Sequence, residues 1–484
     1  MKIHFLSPPS PKGRMLERLY GCSYGLFHQQ NIFALSLATC LSQNNVKVEF
    51  TEADVDGVTN LEHFVRMNSA DVYVIYSVFL SRDCDLKAAR TIRRYKPNSK
   101  IIFAGSDPTY DPTRYLLDSN CFVVRGEGES TLCDLVNRFD EVDHVQGVSF
   151  VSDGEIVNNP PRGIIRDLDS HPPPDRSLLK NPFRYYNPKF SWAPSAVVGT
   201  SRGCPYRCIF CVPNSLSFAR EIEWKRYNQH KPPPTMRSVQ AVLSEFEEIK
   251  RQGFESAQII DDLFTVNTER AIEICEGLQG LGLELACLSR ADHLTNEDLV
   301  RAMAQGGVKT VDVGAESFCQ PILDFIRKDL QVTSCSQAIR LLKRYGIRHE
   351  INLMLGSSPL ETEKTVRHSI CVAKSFQPDV LHLSICTPFP GTDFYNMAKE
   401  KGWMTTTEYN PSDPLIEASI SYPHLRKEQL EELASEAYLF YYMSPRYVFS
   451  RLSRIHNLYT LKYNLRSAIA FFSRIIGARF NMPP

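Results

Sequence analysis

The stretch "TSRGCPYRCIFCVPN", residues 200–214, carries Cys204, Cys208 and Cys211, with three and then two residues between them. A structural zinc takes four ligands, and four thiolates complete an ordinary electron-transfer [4Fe–4S] cluster. Three thiolates on one short loop hold three irons of such a cluster. The fourth iron is then open to a substrate or a cofactor, so the count points to chemistry. Two other readings stand beside it: zinc completed by a distant fourth ligand, and a redox CxxC pair. A strand-like run, "SAVVGTS", enters the loop, and Pro205 and Pro213 stiffen it.

Downstream, "MRSVQAVLSEFEEIKRQGF" places Val239, Val242, Leu243, Phe246 and Ile249 at helical spacing. The apolar runs "SAQIID", "ELACLS", "TVDVGA", "HEINLML" and "VLHLSICT" follow, each separated by a helical stretch. With "SAVVGTS" they make six strand–helix units. That is fewer than the eight of a closed barrel and predicts a partial (β/α) barrel with active groups at the strand C-termini. Upstream, "KIHFL", "VKVEF", "DVYVIYSVF", "KIIFAGSDP" and "CFVVRGEGEST" alternate with helical stretches. This predicts a doubly wound, flavodoxin- or Rossmann-like parallel sheet. Its strand ends carry Ser77, Gly105, Ser106, Gly126, Glu127 and Gly128. Eight prolines between Pro160 and Pro194 mark a stiff connector. The expected organisation is therefore a doubly wound domain over 1–155, a proline-rich linker over 156–194, a barrel over 195–420 and a helical segment over 421–484.

The chain has 484 residues, 43% of them hydrophobic, and zero net charge, so nothing draws the whole molecule toward nucleic acid. Eleven of its fourteen cysteines lie outside the loop, scattered singly and mostly in apolar runs, where they read as small buried hydrophobes. The opening "MKIHFLSPPSP" lacks the apolar core of a secretory signal, and no apolar run suffices for a spanning helix. A reducing, cytoplasmic setting is expected.

"RGCPYRCIFC" resembles the signature of radical S-adenosylmethionine (SAM) enzymes, CxxxCxxC with an aromatic, here Phe210, before the third cysteine. "IIDDLFT" (259–265), "LSRAD" (288–292), "VGAES" (313–317), "NLMLGSSPLETE" (352–363) and "TPFPGT" (387–392) extend the likeness over 195–405. The resemblance implies a [4Fe–4S] cluster on Cys204, Cys208 and Cys211 whose open iron chelates SAM. Electron transfer then cleaves SAM to a 5′-deoxyadenosyl radical. It also implies SAM contacts from Phe210 near the adenine, Arg290 to the carboxylate and Glu316 to the amine or ribose. Of the paired acids Asp261 and Asp262, one faces the site and one caps the next helix, in an order the sequence leaves open. Phe210 also reads as packing, Arg290 as an ordinary salt bridge, and Glu361 as an acid at a helix N-terminus.

"AGSDPTYDPTRYLLDSNCFVVRGEGESTLCDL" (104–135) resembles the end of the cobalamin-binding domain of one radical SAM subclass. On that resemblance Ser77, Gly105, Ser106, Gly126, Glu127 and Gly128 hold cobalamin. A generic flavodoxin-like domain is the alternative. The DxHxxG motif that supplies a histidine to cobalt is absent, and the first loop reads "SPPSPKGRMLERLYG" instead. The subclass either methylates an unactivated carbon, the commoner use, or performs a radical rearrangement, cyclisation or oxidation. A corrinoid- or metal-binding module without catalysis is the reading from another class.

Residues 437–484 carry seven Lys/Arg, no Asp or Glu, and many aromatics. Such a stretch can lie on an anionic membrane surface, which would suit a hydrophobic or lipid-like substrate, such as an isoprenoid, hopanoid or tetrapyrrole. The bland alternative is a helical cap over the barrel mouth. The remaining expected partner is a reducing electron donor of flavodoxin or ferredoxin type, with no nucleic acid. Cys319, Cys386, Tyr110 and Tyr395 are chemically able to meet a substrate radical and read equally as structural residues.

Overall fold

The computed structural model describes residues 1–43, 46–410, 412–453, 455 and 457–479, with the side chains at 459, 463, 467, 470 and 473–479 outside that description. Of the C-terminal basic and aromatic residues, Arg454, Arg474, Arg479, Tyr459 and Tyr463 therefore lie outside it. The chain divides into two compact units: Met1–Tyr185 with Ser201–Gly203 and Pro213–Ser238, and Tyr186–Thr200 with Cys204–Val212 and the chain from Val239 onward. A single linear boundary at 194/195 is thus not where the contacts divide, because residues 213–238 fold with the first unit.

In the first unit, β1 (Lys2–Ser7), β2 (Lys47–Glu52), β3 (Val72–Tyr76), β4 (Lys100–Ala104) and β5 (Cys121–Val124) are parallel, in the order β2-β1-β3-β4-β5. That is a flavodoxin-like winding. An antiparallel hairpin, β6 (Val148–Ser152) and β7 (Glu155–Asn158), extends the β5 edge. Both residues of its two-residue turn are left-handed, Asp153 at φ 51° and Gly154 at φ 83°, as a tight hairpin turn requires. The proline-rich connector begins inside this sheet, since the Gly147 amide donates to the Pro160 carbonyl. Helices α1 (Ile32–Ser42), α2 (Arg82–Tyr95), α3 (Glu129–Asn137) and α4 (Ser215–Lys225) belong to the same unit. The α1 N-terminus is capped by Asn31, whose side-chain oxygen accepts from the Ala34 amide.

The second unit is a six-stranded parallel sheet in sequence order: β8 (Ser195–Val198), β9 (Ser256–Ile259), β10 (Glu284–Ser289), β11 (Val308–Glu316), β12 (Arg348–Leu355) and β13 (Val380–Ile385). This is the partial (β/α)6 barrel expected from the six apolar runs. Alternate residues of the strands, such as Val311, Val313, Ile351, Leu353, Leu381 and Leu383, pack into one core with the helices. The opposite face is polar. Lys189 bridges Asp312 at 2.8 Å and Glu350 at 2.7 Å there. The Lys189 ammonium is held above its ordinary range, because the two carboxylates outweigh its burial. The helices α5 (Val239–Arg251), α6 (Thr268–Gly277), α7 (Glu297–Gln305), α8 (Val332–Arg344), α9 (Glu363–Ser375) and α10 (Asp393–Glu400) intervene, and α11 (Lys427–Tyr442), α12 (Pro445–Leu452) and α13 (Leu458–Arg479) complete the chain. On α5, Val242, Phe246 and Ile249 are buried, as their spacing predicts.

Candidate active site

Cys204, Cys208 and Cys211 are all half-buried, and none is in a disulfide. The residue between the last two ligands' neighbours does the anchoring. Ile209 is buried, its amide donates to the Ile326 carbonyl at 3.1 Å, and its carbonyl accepts from the Phe394 amide at 2.9 Å. The Cys211 amide donates to the Cys208 carbonyl at 3.3 Å, which closes the turn that brings those two thiols onto one side. Phe210 packs, partly buried, against the core of the second unit.

Tyr206 provides the second anchor. Its hydroxyl lies 2.8 Å from His293 Nε2, and His293 Nδ1 lies 2.7 Å from the Thr265 carbonyl. A carbonyl only accepts, so Nδ1 carries the proton and Nε2 accepts from the tyrosine. Arg290 stacks on the Tyr206 ring at 3.6 Å. Its Nε and Nη2 donate to Asp292, Nη1 to the Lys328 carbonyl and Nη2 to the Asp329 carbonyl. Four of its five N–H groups are therefore spent inside the protein. Arg290 is a positioning residue that clamps the cysteine loop through Tyr206 and holds the 328–329 turn.

Neither acid at the end of β9 caps the next helix, as the sequence suggests one would: Asn267 caps α6, its side-chain oxygen accepting from the Arg270 amide. Asp261 is buried and accepts from the Thr200 amide and hydroxyl, both at 2.6 Å, so it fastens the exit of β8. Asp262 is the half-exposed member of the pair.

Glu316 ends β11 with a left-handed backbone, φ 63°, at a register shift in the sheet. Its carboxylate meets the Lys328 ammonium at 3.0 Å. Lys328 is itself flanked by Arg327 at φ 52° and Asp329 at φ 49°. Three of the five left-handed non-glycine residues described thus surround one ion pair. Each costs roughly 1 kcal/mol or more, and such strain collects where a side chain must be aimed. Burial opposes the charge on Lys328, yet Glu316 and then Cys208 beside it raise its pKa above the usual value. Lys328 was missed in the sequence, where "IRKDL" shows only another basic pair. Glu361 is buried and accepts from the Gly356 amide at 2.9 Å and from the Ser357 amide and hydroxyl, each at 2.8 Å. It clamps the loop after β12, and burial pushes its pKa up to about 7.

In the first unit most of the strand-end residues are turned inward. Ser77 is fully buried, with its hydroxyl 3.0 Å from Tyr115 Oη. Gly105 has φ 111°, and a Cβ there would lie 2.2 Å from the Ser77 carbonyl oxygen, so the glycine serves close packing of two strand ends. Ser106 is buried at the start of a short helix, Ser106–Tyr110. Gly126 has φ 71° and donates its amide to Thr109, while Gly128 precedes α3. Glu127 accepts from Arg202 Nη1 at 2.9 Å and from the Ile165 amide at 2.5 Å, with Arg220 at 3.4 Å. Arg202 also pairs with buried Glu129 at 2.6 Å. A cleft at the C-terminal ends of β1 and β2 is lined by Ser7, Glu17, Arg18, Asn31, Glu52 and Asp54. The Asn31 Nδ2 there is buried with no hydrogen-bond partner.

The four side chains singled out as radical partners have structural settings. Cys386 is buried, and burial raises its pKa well above the thiol range. Tyr395 is buried, Tyr110 packs on Phe79 at 5.7 Å, and the Cys319 thiol lies 3.8 Å from the Thr365 carbonyl.

The donors suit the implied groups. Three unbridged thiols sit on a doubly anchored loop beside Lys328, the donor set of a cluster with one open iron. Among the described residues no three His, Cys, Asp or Glu groups, the loop cysteines included, are gathered around a point as for a single ion. The orphaned Asn31 amide offers a donor to an amide-bearing ring such as a corrin.

The radical SAM superfamily model matches residues 198–369, and the B12 binding domain model matches residues 20–136. An uncharacterized methyltransferase of Pyrococcus horikoshii is 30% identical over 394 residues, 79% of this chain and 81% of that protein. The anaerobic magnesium-protoporphyrin IX monomethyl ester cyclase of Cereibacter sphaeroides is 27% identical over 63% of this chain, which spans about half (49%) of the cyclase. The solved structure of the radical SAM methyltransferase TsrM of Kitasatospora setae, with cobalamin and a [4Fe–4S] cluster bound, superposes with a TM-score of 0.63. The match covers 89% of this chain and 81% of TsrM at 16% identity.

Proposed function

The chain belongs to the cobalamin-binding radical SAM enzymes, with a [4Fe–4S] cluster, SAM and cobalamin as cofactors, and on that premise we propose that it transfers a methyl group to an unactivated carbon of a hydrophobic or lipid-like small molecule. When bound, the cluster and SAM supply a hydrogen-abstracting deoxyadenosyl radical, and cobalamin supplies a methyl group. The chain's own residues then have distinct tasks. Cys204, Cys208 and Cys211 would hold the cluster. Ile209, Tyr206 and Arg290 fix the loop that carries them. Lys328 would take the SAM carboxylate and Glu316 the SAM amine, with Asp262 and Phe210 at the ribose and adenine. The strand ends of residues 20–136, with Asn31, would hold cobalamin, leaving Glu127 as their brace.

The observation that carries this reading is the Lys328–Glu316 pair, aimed by three left-handed residues. The methyltransferase relative supports methyl transfer. The cyclase match keeps radical cyclisation or oxidation of a tetrapyrrole as the second reading. A flavodoxin- or ferredoxin-type donor, a cytoplasmic setting and a peripheral membrane contact through the C-terminal segment complete the proposal. The test is anaerobic incubation of the loaded protein with SAM and a reductant. Methyl transfer yields both 5′-deoxyadenosine and S-adenosylhomocysteine. 5′-Deoxyadenosine alone favours the second reading, and neither product sinks both.

A further inference from the structure

Nine of the seventeen exposed large hydrophobic side chains among the described residues lie between Phe440 and Ile469. Helix α12 buries none of its residues and exposes Phe449 (75%) and Leu452 (60%). On α13, Leu458, Leu461, Leu465 and Ile469 are exposed at intervals of three and four, which is one continuous stripe on a helix. The stripe faces away from the protein. Thr460 and Phe471 lie on the opposite side of α13. Thr460 is buried, and the Phe471 ring packs on Tyr438 at 5.2 Å and Tyr442 at 4.9 Å. The helix is thus fastened to its unit by one face and presents a second apolar face outward, a patch of the kind that marks an interaction surface.

The charges select the partner. Exposed Lys462 and Arg466 each follow a stripe residue by one position and so border it along one side, and α12 adds Arg446 and Arg451. The sequence holds no Asp or Glu after Glu436. Among the described residues no helix is long and apolar enough to cross a membrane. A helix with an apolar stripe flanked by cations and no anions lies in the headgroup layer of an anionic bilayer, its stripe sunk to the acyl boundary.

We propose that α12 and α13 dock the enzyme flat onto an anionic lipid surface through Phe449, Leu452 and the Leu458–Ile469 stripe. The inference rests on the peripheral membrane contact proposed above and deepens it by naming the residues and the lipid charge, and it is tested separately from the reaction. The test is co-sedimentation of the full-length loaded protein with phosphatidylcholine vesicles in which about one lipid in three is phosphatidylglycerol. The protein should pellet with these and stay in solution with phosphatidylcholine alone. Lys462→Gln and Arg466→Gln should each weaken binding roughly fivefold. Leu465→Gln/Ile469→Gln should abolish it, with iron content and SAM cleavage unchanged. Equal binding to neutral vesicles, or none to either, overturns the proposal. So does self-association that the same double substitution abolishes, because the stripe would then cover a second copy. Loss of SAM cleavage in the parent protein while anionic binding persists would overturn the reaction and leave the docking standing.

Discussion

The two units solve the same problem in opposite ways. Both are parallel sheets whose C-terminal strand ends gather polar and glycine residues. In the first unit those ends close on the protein itself: Ser77 on Tyr115, Gly105 under the Ser77 carbonyl, and Glu127 and Glu129 on Arg202. In the second unit the strand ends hold a loop in place and leave its three thiols half-exposed, with Asp261, Arg290 and Glu361 all spent on bracing. The first unit is glycine-dependent and largely closed on itself, save for the unpartnered Asn31 Nδ2 in its cleft. The second carries strained, aimed side chains at Glu316 and Lys328. The difference teaches that chemistry-bearing residue types at strand ends are more often braces than reagents, and that backbone strain separates the two.

The largest expected effect is on the second unit alone. Cys204/Cys208/Cys211→Ala should remove essentially all cluster iron after anaerobic reconstitution while cobalt stays bound to the first unit. Loss of both metals together would break the contrast. Next is Arg202→Met. It leaves Glu127 and Glu129 as buried carboxylates without their shared cation, a loss of roughly 3 kcal/mol in stability. Thermal unfolding should show it, with Arg202→Lys recovering only part, since one ammonium cannot reproduce the bidentate fork.

Acid stability sharpens the comparison further, because Glu52 in the first unit and Glu361 in the second are buried glutamates whose pKa burial pushes up to about 7. In the unfolded chain a glutamate releases its proton near pH 4.5. The folded group keeps it up to about 7, so each contributes stability that is full below pH 4.5 and is lost as the pH rises toward 7. The loss is on the order of 1–3 kcal/mol per group. Glu361→Gln should flatten that slope for the second unit and Glu52→Gln for the first, as read from denaturant midpoints between pH 4 and 8 (roughly, the window these values set). The smallest effect is Tyr206→Phe, which removes one hydrogen bond, about 1 kcal/mol. It should broaden the cluster's electron paramagnetic resonance signal, with His293→Asn doing the same and Arg290→Lys doing more.

The sequence was most legible where spacing alone carries the meaning. The cysteine loop, the six barrel strands and the five parallel strands of the first unit needed only period and neighbours. It was least legible where a partner lies far along the chain. Glu127 reads as a ligand among glycines until Arg202, 75 residues later, claims it. Arg290 reads as an open cation until Tyr206 covers it. Lys328 acquires meaning only when three residues adopt a left-handed backbone that nothing local demands. The β6–β7 hairpin was overlooked because "DG" stands between runs too short and too polar to signal strands, and 213–238 joins the first unit through contacts such as Arg125–Glu223 that span 98 residues.

The central claim is that one chain holds an open iron–sulfur cluster in its second unit and cobalamin in its first. Iron, sulfide and cobalt counted per chain after anaerobic purification with cobalamin supplied test it most directly. The account predicts about four irons with matching sulfide and about one cobalt. One zinc with no sulfide would contradict it at the cysteine loop, and four irons without cobalt would contradict it at the first unit.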